Sequence, residues 1–274
     1  MIVTIDIGGT KTLIVYFDIL GKPIKEVRFA TEHSPEEFLA HLDLELAQFT
    51  TDEIKAIAVA APGMIDSKAG IILYSPNLKW KNIELTAHLS ERFHCPIYLG
   101  NDANFAGLGA VQALDAIPPL ALYITIGTGI GTGLIIDGDI HPAVTHAEGG
   151  HMLFQTEQGL QEWEQFASGK AIAARYKRLA IDIQEDSHWK QIAFQLVVGL
   201  RALIPALQPN IIIFGGGVGT QFDRFTGHLQ TQLRAELPAF IPLPTFIQAI
   251  DPEKAVIHGC YYYALTHQNI RKNA

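Results

Sequence analysis

The chain has 274 residues, 48% of them hydrophobic, which supplies apolar material for one large or two modest cores. A formal charge of −8 and the lack of any long basic run argue against nucleic-acid or anionic-membrane partners, so no such partner is expected. The only cysteines, Cys95 and Cys260, form no CxxC pair; this suits a reducing cytoplasm, and both are expected to be small buried hydrophobes.

The amino terminus "MIVTIDIGGT" lacks a basic leader and enters a strand at once, so no signal peptide is expected, and the location is read as cytoplasmic. Two β-branched runs flank Gly8 and Gly9 in "IVTIDIGGTKTLIVYFD", and "PIKEVRFA" completes an antiparallel meander. Ser34, Pro35 and Glu37 read as a capped helix start, followed by apolar positions Phe38, Leu42, Leu46 and Phe49. A buried strand, "IKAIAVAAPG", ends in a Pro-Gly turn. Next, "CPIYLGNDANFAGLGAVQAL" is a strand, a polar turn and a small-residue helix starting near Asp102. The segment "ALYITIGTGIGTGLIIDGDI" then repeats the strand, glycine loop and strand of the amino terminus. "IIIFGGGVG" is a strand entering a glycine turn, and "QFDRFTGHLQTQLRAEL" is helical. Apolar runs such as "LYITIG" are too short to span a bilayer. Two halves with the same opening motif, joined without a flexible linker, imply a structural duplication with the halves packed across a cleft.

Three loops could hold a phosphate: "DIGGTKT", "TIGTGIGTG" and "FGGGVG". Glycine lets successive N–H groups face one concavity, and Thr10, Thr128 and Thr132 add hydroxyls. Each loop alone also reads as an ordinary turn. A Walker loop is excluded because neither Gly21-Lys22 nor Gly169-Lys170 precedes Ser or Thr. A dinucleotide fingerprint is excluded because "GTGIGTG" leads into a strand, not a helix. Spacing alone makes Asp102 a helix cap. His146, Glu148 and His151 form H-x-E-x-x-H, which is not the zinc-protease motif, and Gly149-Gly150 would spoil its helix.

In order and approximate spacing, "DIGGTKT", "GNDAN", "TIGTGIGTG", "EGGHM" and "IIIFGGGV" resemble the ROK family of sugar kinases and regulators over nearly the whole chain. The resemblance implies an α/β, actin-like ATPase (ribonuclease H-like) fold. Its domains would span residues 1–115 and 116–252, with a C-terminal helix within 253–274 packing back on the first. It implies ATP with Mg²⁺ as cofactors. The phosphates would lie on Asp6, Gly8, Gly9, Thr10, Lys11, Gly127, Thr128, Gly129 and Gly131, the adenosine against Gly215, Gly216 and Gly217, and Asp6 near the metal. Asp102 becomes the catalytic base of a hexose kinase, glucose being the first guess, with Asn101, Glu148, His151, Glu164, Gly63 and Asn77 on the sugar. Glu164 competes with Glu162 for its place, because the interval "MLFQTEQGLQEW" is shortened. Many members carry a cysteine-rich zinc loop there; this interval has no cysteine, so zinc is not expected and packing by Phe154, Trp163 and Phe166 is expected to pin His151 instead. Homodimerisation rests on family likeness alone. The alternative is a non-catalytic or weakly catalytic sugar-binding regulator. Against repression stand the acidic charge and a chain that opens on the "DIGGT" strand, where such repressors carry a preceding helix-turn-helix domain.

Overall fold

The computed structural model describes residues 1–48, 53–251 and 254–268, so Phe49 lies outside the described residues. The chain divides into two compact units, residues 1–112 with 254–274, and residues 113–253.

In the first unit, β1 (Ile2–Ile7) and β2 (Lys11–Phe17) form a hairpin around the first glycine loop, and β3 (Pro23–Ala30) completes the meander. Helix α1 (Pro35–Leu46) starts where Ser34 accepts the Glu37 N–H at 3.3 Å, while the Ser34 hydroxyl donates to Glu36. Its apolar stripe of Phe38, Leu42 and Leu46 is fully buried. Strand β4 (Ala56–Ala61) pairs parallel to β1. A separate small sheet of β5 (Met64–Asp66), β6 (Ile71–Ser75) and β7 (Trp80–Ile83) follows, then the short helix α2 (Leu85–Ser90). Strand β8 (Ile97–Asn101) joins β4 in parallel and runs directly into α3 (Asp102–Gln112), giving the sheet order β3-β2-β1-β4-β8.

The second unit uses the same plan. Strands β9 (Leu120–Ile126) and β10 (Ile130–Ile136) form a hairpin around the second glycine loop, with β11 (Asp139–Ile140) outside it. Strands β12 (Leu153–Thr156) and β13 (Gly159–Glu162) form a small hairpin, followed by helices α4 (Trp163–Ala167), α5 (Gly169–Tyr176) and α6 (Asp186–Leu207). Strand β14 (Ile211–Gly215) lies parallel to β9 and ends in α7 (Gly216–Gly219); after α8 (Phe222–Glu236), β15 (Thr245–Gln248) closes the sheet β11-β10-β9-β14-β15. Three antiparallel strands extended by two parallel ones in each sheet are the duplication that the repeated motif implied. Helix α6 is long and apolar enough to cross a membrane, but Trp189, Ile192, Leu196, Leu200 and Ile204 spend its apolar face in the core of this unit. The last helix, α9 (Ala255–His267), returns to the first unit, where it packs on α3 with Cys260 buried; Cys95, by contrast, is only partly buried.

Candidate active site

Two strands of the first sheet, β1 and β8, each parallel to the β4 between them, deliver a carboxylate or its neighbour to one end. Asp6 is the penultimate residue of β1, opposite Ala60, and Asn101 closes β8 opposite Ala61, so Asp102 emerges at the same end of the sheet. The carboxyl ends of parallel strands are where α/β sheets place their ligands. The cap of α3 is supplied by Asn101 rather than Asp102: its Oδ1 accepts the N–H of Ala103 at 2.8 Å and of Asn104 at 3.4 Å. Its Nδ2–H donates to the Gly63 carbonyl at 3.2 Å. Gly63 has φ of +101°, and a Cβ there would stand 2.3 Å from the Tyr74 carbonyl oxygen, so only glycine can present that carbonyl to Asn101.

Asp102 then occupies the first helical position. Its carboxylate accepts the Ala103 N–H at 2.8 Å, yet burial outweighs that bond and pushes its pKa up to about 6. The carboxylate is thus ionised at neutral pH, as the helix terminus suggests, but with a higher pKa than a terminus alone would give it. Asp6 is pushed further, to about 7, first by burial and second by the charge of Asp102. Both side chains keep partial solvent exposure despite this loss of hydration.

Around them lies the first glycine loop. Gly8 N–H donates to the Lys11 carbonyl at 2.9 Å, closing a tight turn that leaves Thr10 and Lys11 exposed. Asn77 packs against this turn, since a Cβ on Gly9 would stand 3.4 Å from the Asn77 Cβ. The structure therefore brings Asn77 to the glycine loop and ties Gly63 to Asn101.

In the second unit, Gly127 N–H donates to the Gly129 carbonyl at 3.0 Å at the hairpin tip, with Thr128 exposed and Gly131 paired opposite Thr125. Gly215 ends β14, and Gly216, at φ +75°, turns the chain into α7 with Gly217. The Glu148–His151 segment is a single 3-10 turn lying on β10. Its double glycine is required by that contact: a Cβ on Gly150 would stand 1.8 Å from the Ile130 carbonyl oxygen. Thr132 holds the turn from the other side, accepting the Gly149 N–H at 2.9 Å and donating to the Ala147 carbonyl at 3.3 Å. In the sequence Thr132 reads only as a hydroxyl beside the loop; its role in holding the turn depends on the fold.

Glu148 and His151 are exposed, and Glu162 and Glu164 approach the histidine from β13 and α4. One ligand-type atom each from His151, Glu162 and Glu164 lies within 4.8 Å of the others. The two glutamates differ in partner. Glu162 Oε2 lies 2.9 Å from His151 Nδ1, whereas Glu164 Oε2 accepts the Ile130 N–H at 3.1 Å, beside Gly129. His151 has its pKa raised, first by the Glu162 bond and then by the charges of Glu164, Glu162 and Glu148. The polar partner of the His151 ring is Glu162, and the three aromatic residues expected to pin it have contacts of their own. Trp163 is buried and donates to the Gln195 carbonyl at 3.1 Å, and Phe154 meets Phe166 edge-on.

Residues 2–266 match the ROK family. The chain belongs to the ROK family. Among curated ROK relatives, a fructokinase of Lactococcus lactis subsp. cremoris is 29% identical over 262 residues, covering 89% of this chain and 88% of its own. A xylose repressor of Caldicellulosiruptor bescii is 24% identical, over 94% of this chain and 76% of its own. Among solved structures, a ROK family glucokinase from Streptomyces griseus, in complex with glucose and AMPPNP, superposes with a TM-score of 0.77 at 23% identity, over 96% of this chain and 99% of that one. The fold is therefore that of the ROK proteins, the α/β actin-like ATPase fold, with one such sheet in each unit.

Proposed function

We propose that this ROK protein is an ATP-dependent hexose kinase in which Asp102 is the general base. The observation that carries the reading is the Asp102 carboxylate, set at the head of α3 by the Asn101 cap and raised to about 6, close to working pH yet ionised there. Fructokinase and glucokinase relatives support the reaction class.

The carboxylate of Asp102 accepts the proton of the attacking sugar hydroxyl while its oxygen forms a bond to the γ-phosphorus; the bond to the β-γ bridging oxygen breaks and ADP leaves. The glycine and threonine residues at the tips of the two hairpin loops, Gly8 to Lys11 and Gly127 to Gly131, suit close approach of phosphate oxygens, and Gly215 to Gly217 suit close approach of the adenosine. Asp6 is a hard oxygen donor, buried and near enough to Asp102 to feel its charge, which fits a divalent cation, so Asp6 would hold Mg²⁺. When bound, Mg²⁺ supplies neutralisation of phosphate charge. Glu148, His151 and Glu164 offer directional partners for hydroxyl groups, so a sugar epimer with a misplaced hydroxyl leaves a polar group unpaired. The reading includes no structural zinc.

A second reading, a sugar-binding regulator, is favoured by one observation: the similarity to a xylose repressor spans 94% of this chain. Sugar-dependent ADP release, measured with glucose, fructose, mannose, allose and N-acetylated hexosamines, separates the two. Turnover that depends on one of these sugars supports the kinase. Background ADP release with all of them, alongside retained sugar binding, establishes the regulator.

A further inference from the structure

The hairpin between His151 and α4 fixes the backbone on both sides of one side-chain contact. Leu153 pairs with Glu162, and the Trp163 N–H donates to the Met152 carbonyl at 2.9 Å, so the residues after His151 and Glu162 are bonded to each other. Glu162 is also the N-cap residue of α4, and its own N–H donates to Gln165 Oε1 at 3.1 Å. With both Cα positions held, the 2.9 Å contact between Glu162 Oε2 and His151 Nδ1 fixes the remaining freedom, the rotation of the imidazole. An ionised carboxylate only accepts hydrogen bonds, so Nδ1 carries the proton and Nε2, in the neutral ring, presents a lone pair. Glu164 is engaged elsewhere: its Oε2 accepts the Ile130 N–H.

We propose that Glu162 is a positioning residue: it selects the Nδ1–H tautomer of His151 and aims Nε2 as an acceptor for one sugar hydroxyl. The identity of that hydroxyl donor rests on the kinase reading, whereas the tautomer assignment stands on the contact alone. The consequence is a preference for sugars that present an O–H in one direction to a nitrogen acceptor. The two glutamates of α4 and its cap then divide their work, Glu162 serving the histidine and Glu164 the second glycine loop.

Two variants separate this role from the capping role of the same residue. Glu162→Ser keeps a good N-cap but is too short to reach the ring, and Glu162→Gln keeps an acceptor oxygen at the original reach. Long-range proton-nitrogen NMR of histidine, recorded above the imidazole titration and assigned with His151→Gln, reads the tautomer directly. Wild type and Glu162→Gln are expected in the Nδ1–H form and Glu162→Ser shifted to the Nε2–H form. In steady-state kinetics Glu162→Ser is expected to raise the sugar KM about threefold to tenfold, as loss of a half-exposed charge-assisted contact would, with the ATP KM unchanged and Glu162→Gln restoring most of the loss. A folded Glu162→Ser protein with the wild-type tautomer, or with an unchanged sugar KM, overturns the proposal. If wild type shows no sugar-dependent turnover, the kinase reading fails and the tautomer measurement alone decides the role of Glu162.

Discussion

The carboxylates of the two units live under opposite electrostatics. In the first unit Asp6 and Asp102 are raised to about 7 and about 6, with burial the largest cause for each and mutual repulsion adding to Asp6. In the second, Glu162 and Glu164 stay near solvent and are engaged by specific donors, the His151 ring and the Ile130 N–H. Desolvation tunes a proton affinity, which suits a base or a cation site; a directed hydrogen bond fixes a geometry, which suits recognition. The difference lies in chain placement: Asp6 lies near the end of β1 and Asp102 just beyond β8, at one end of a five-stranded sheet, whereas the glutamates sit on a two-stranded hairpin and a five-residue helix.

If that contrast holds, the largest effect after loss of the base itself comes from Asp6→Asn. Activity should fall on the order of a hundredfold or more, because the divalent cation loses its carboxylate. Stability should move the other way. A carboxyl whose pKa is raised in the folded chain binds its proton more tightly there than when unfolded. Its contribution is therefore fully present at acid pH and is lost as pH rises through the folded value, here about 7. Thermal unfolding should show Asp6→Asn gaining on wild type at pH values above that point and losing the advantage in acid; an equal gain at both would refute the burial argument.

Next in size is the pH dependence of turnover. With Asp102 at about 6, kcat/KM should decline as pH falls through that value, since the protonated base cannot accept the hydroxyl proton. A limb at the ordinary carboxylate pKa, near 4, would mean that Asp102 is not desolvated in the working protein.

Smaller effects distinguish the glycines of the second unit. Gly150→Ala puts a Cβ 1.8 Å from a backbone oxygen and should cost about 1–3 kcal/mol, read as a lowered Tm. Gly127→Ala meets no atom within 4 Å and should leave stability within about 0.5 kcal/mol. A matching loss of Tm in both variants would show that the turn on β10 is no tighter than the hairpin tip.

Features set by local sequence were legible in advance. The strand, glycine loop and strand motif of each half, the Ser34 helix start and the helical run after "QFDRF" depend on residues a few positions apart, and each lies where its chemistry put it. What could not be read depends on pairing across the fold. That Glu162 meets His151 is set by the β12-β13 register, and a one-residue slip would turn its side chain to the other face of the hairpin. The capping of α3 by Asn101 rather than Asp102 depends on β8 running into the helix without a loop, a boundary that propensity does not resolve. The pKa of Asp102 escaped the sequence because burial, not the helix terminus beside it, dominates. His146, prominent in the sequence motif, is exposed and outside the His151, Glu162 and Glu164 grouping.

Whether a desolvated Asp102 takes the sugar proton is decided by ADP release from wild type and Asp102→Asn with the sugar that wild type uses best. Sugar-dependent turnover is expected in wild type, with a fall of roughly a hundredfold or more in a variant that stays folded and still binds the sugar. Turnover by Asp102→Asn at a rate close to wild type would contradict that role for Asp102.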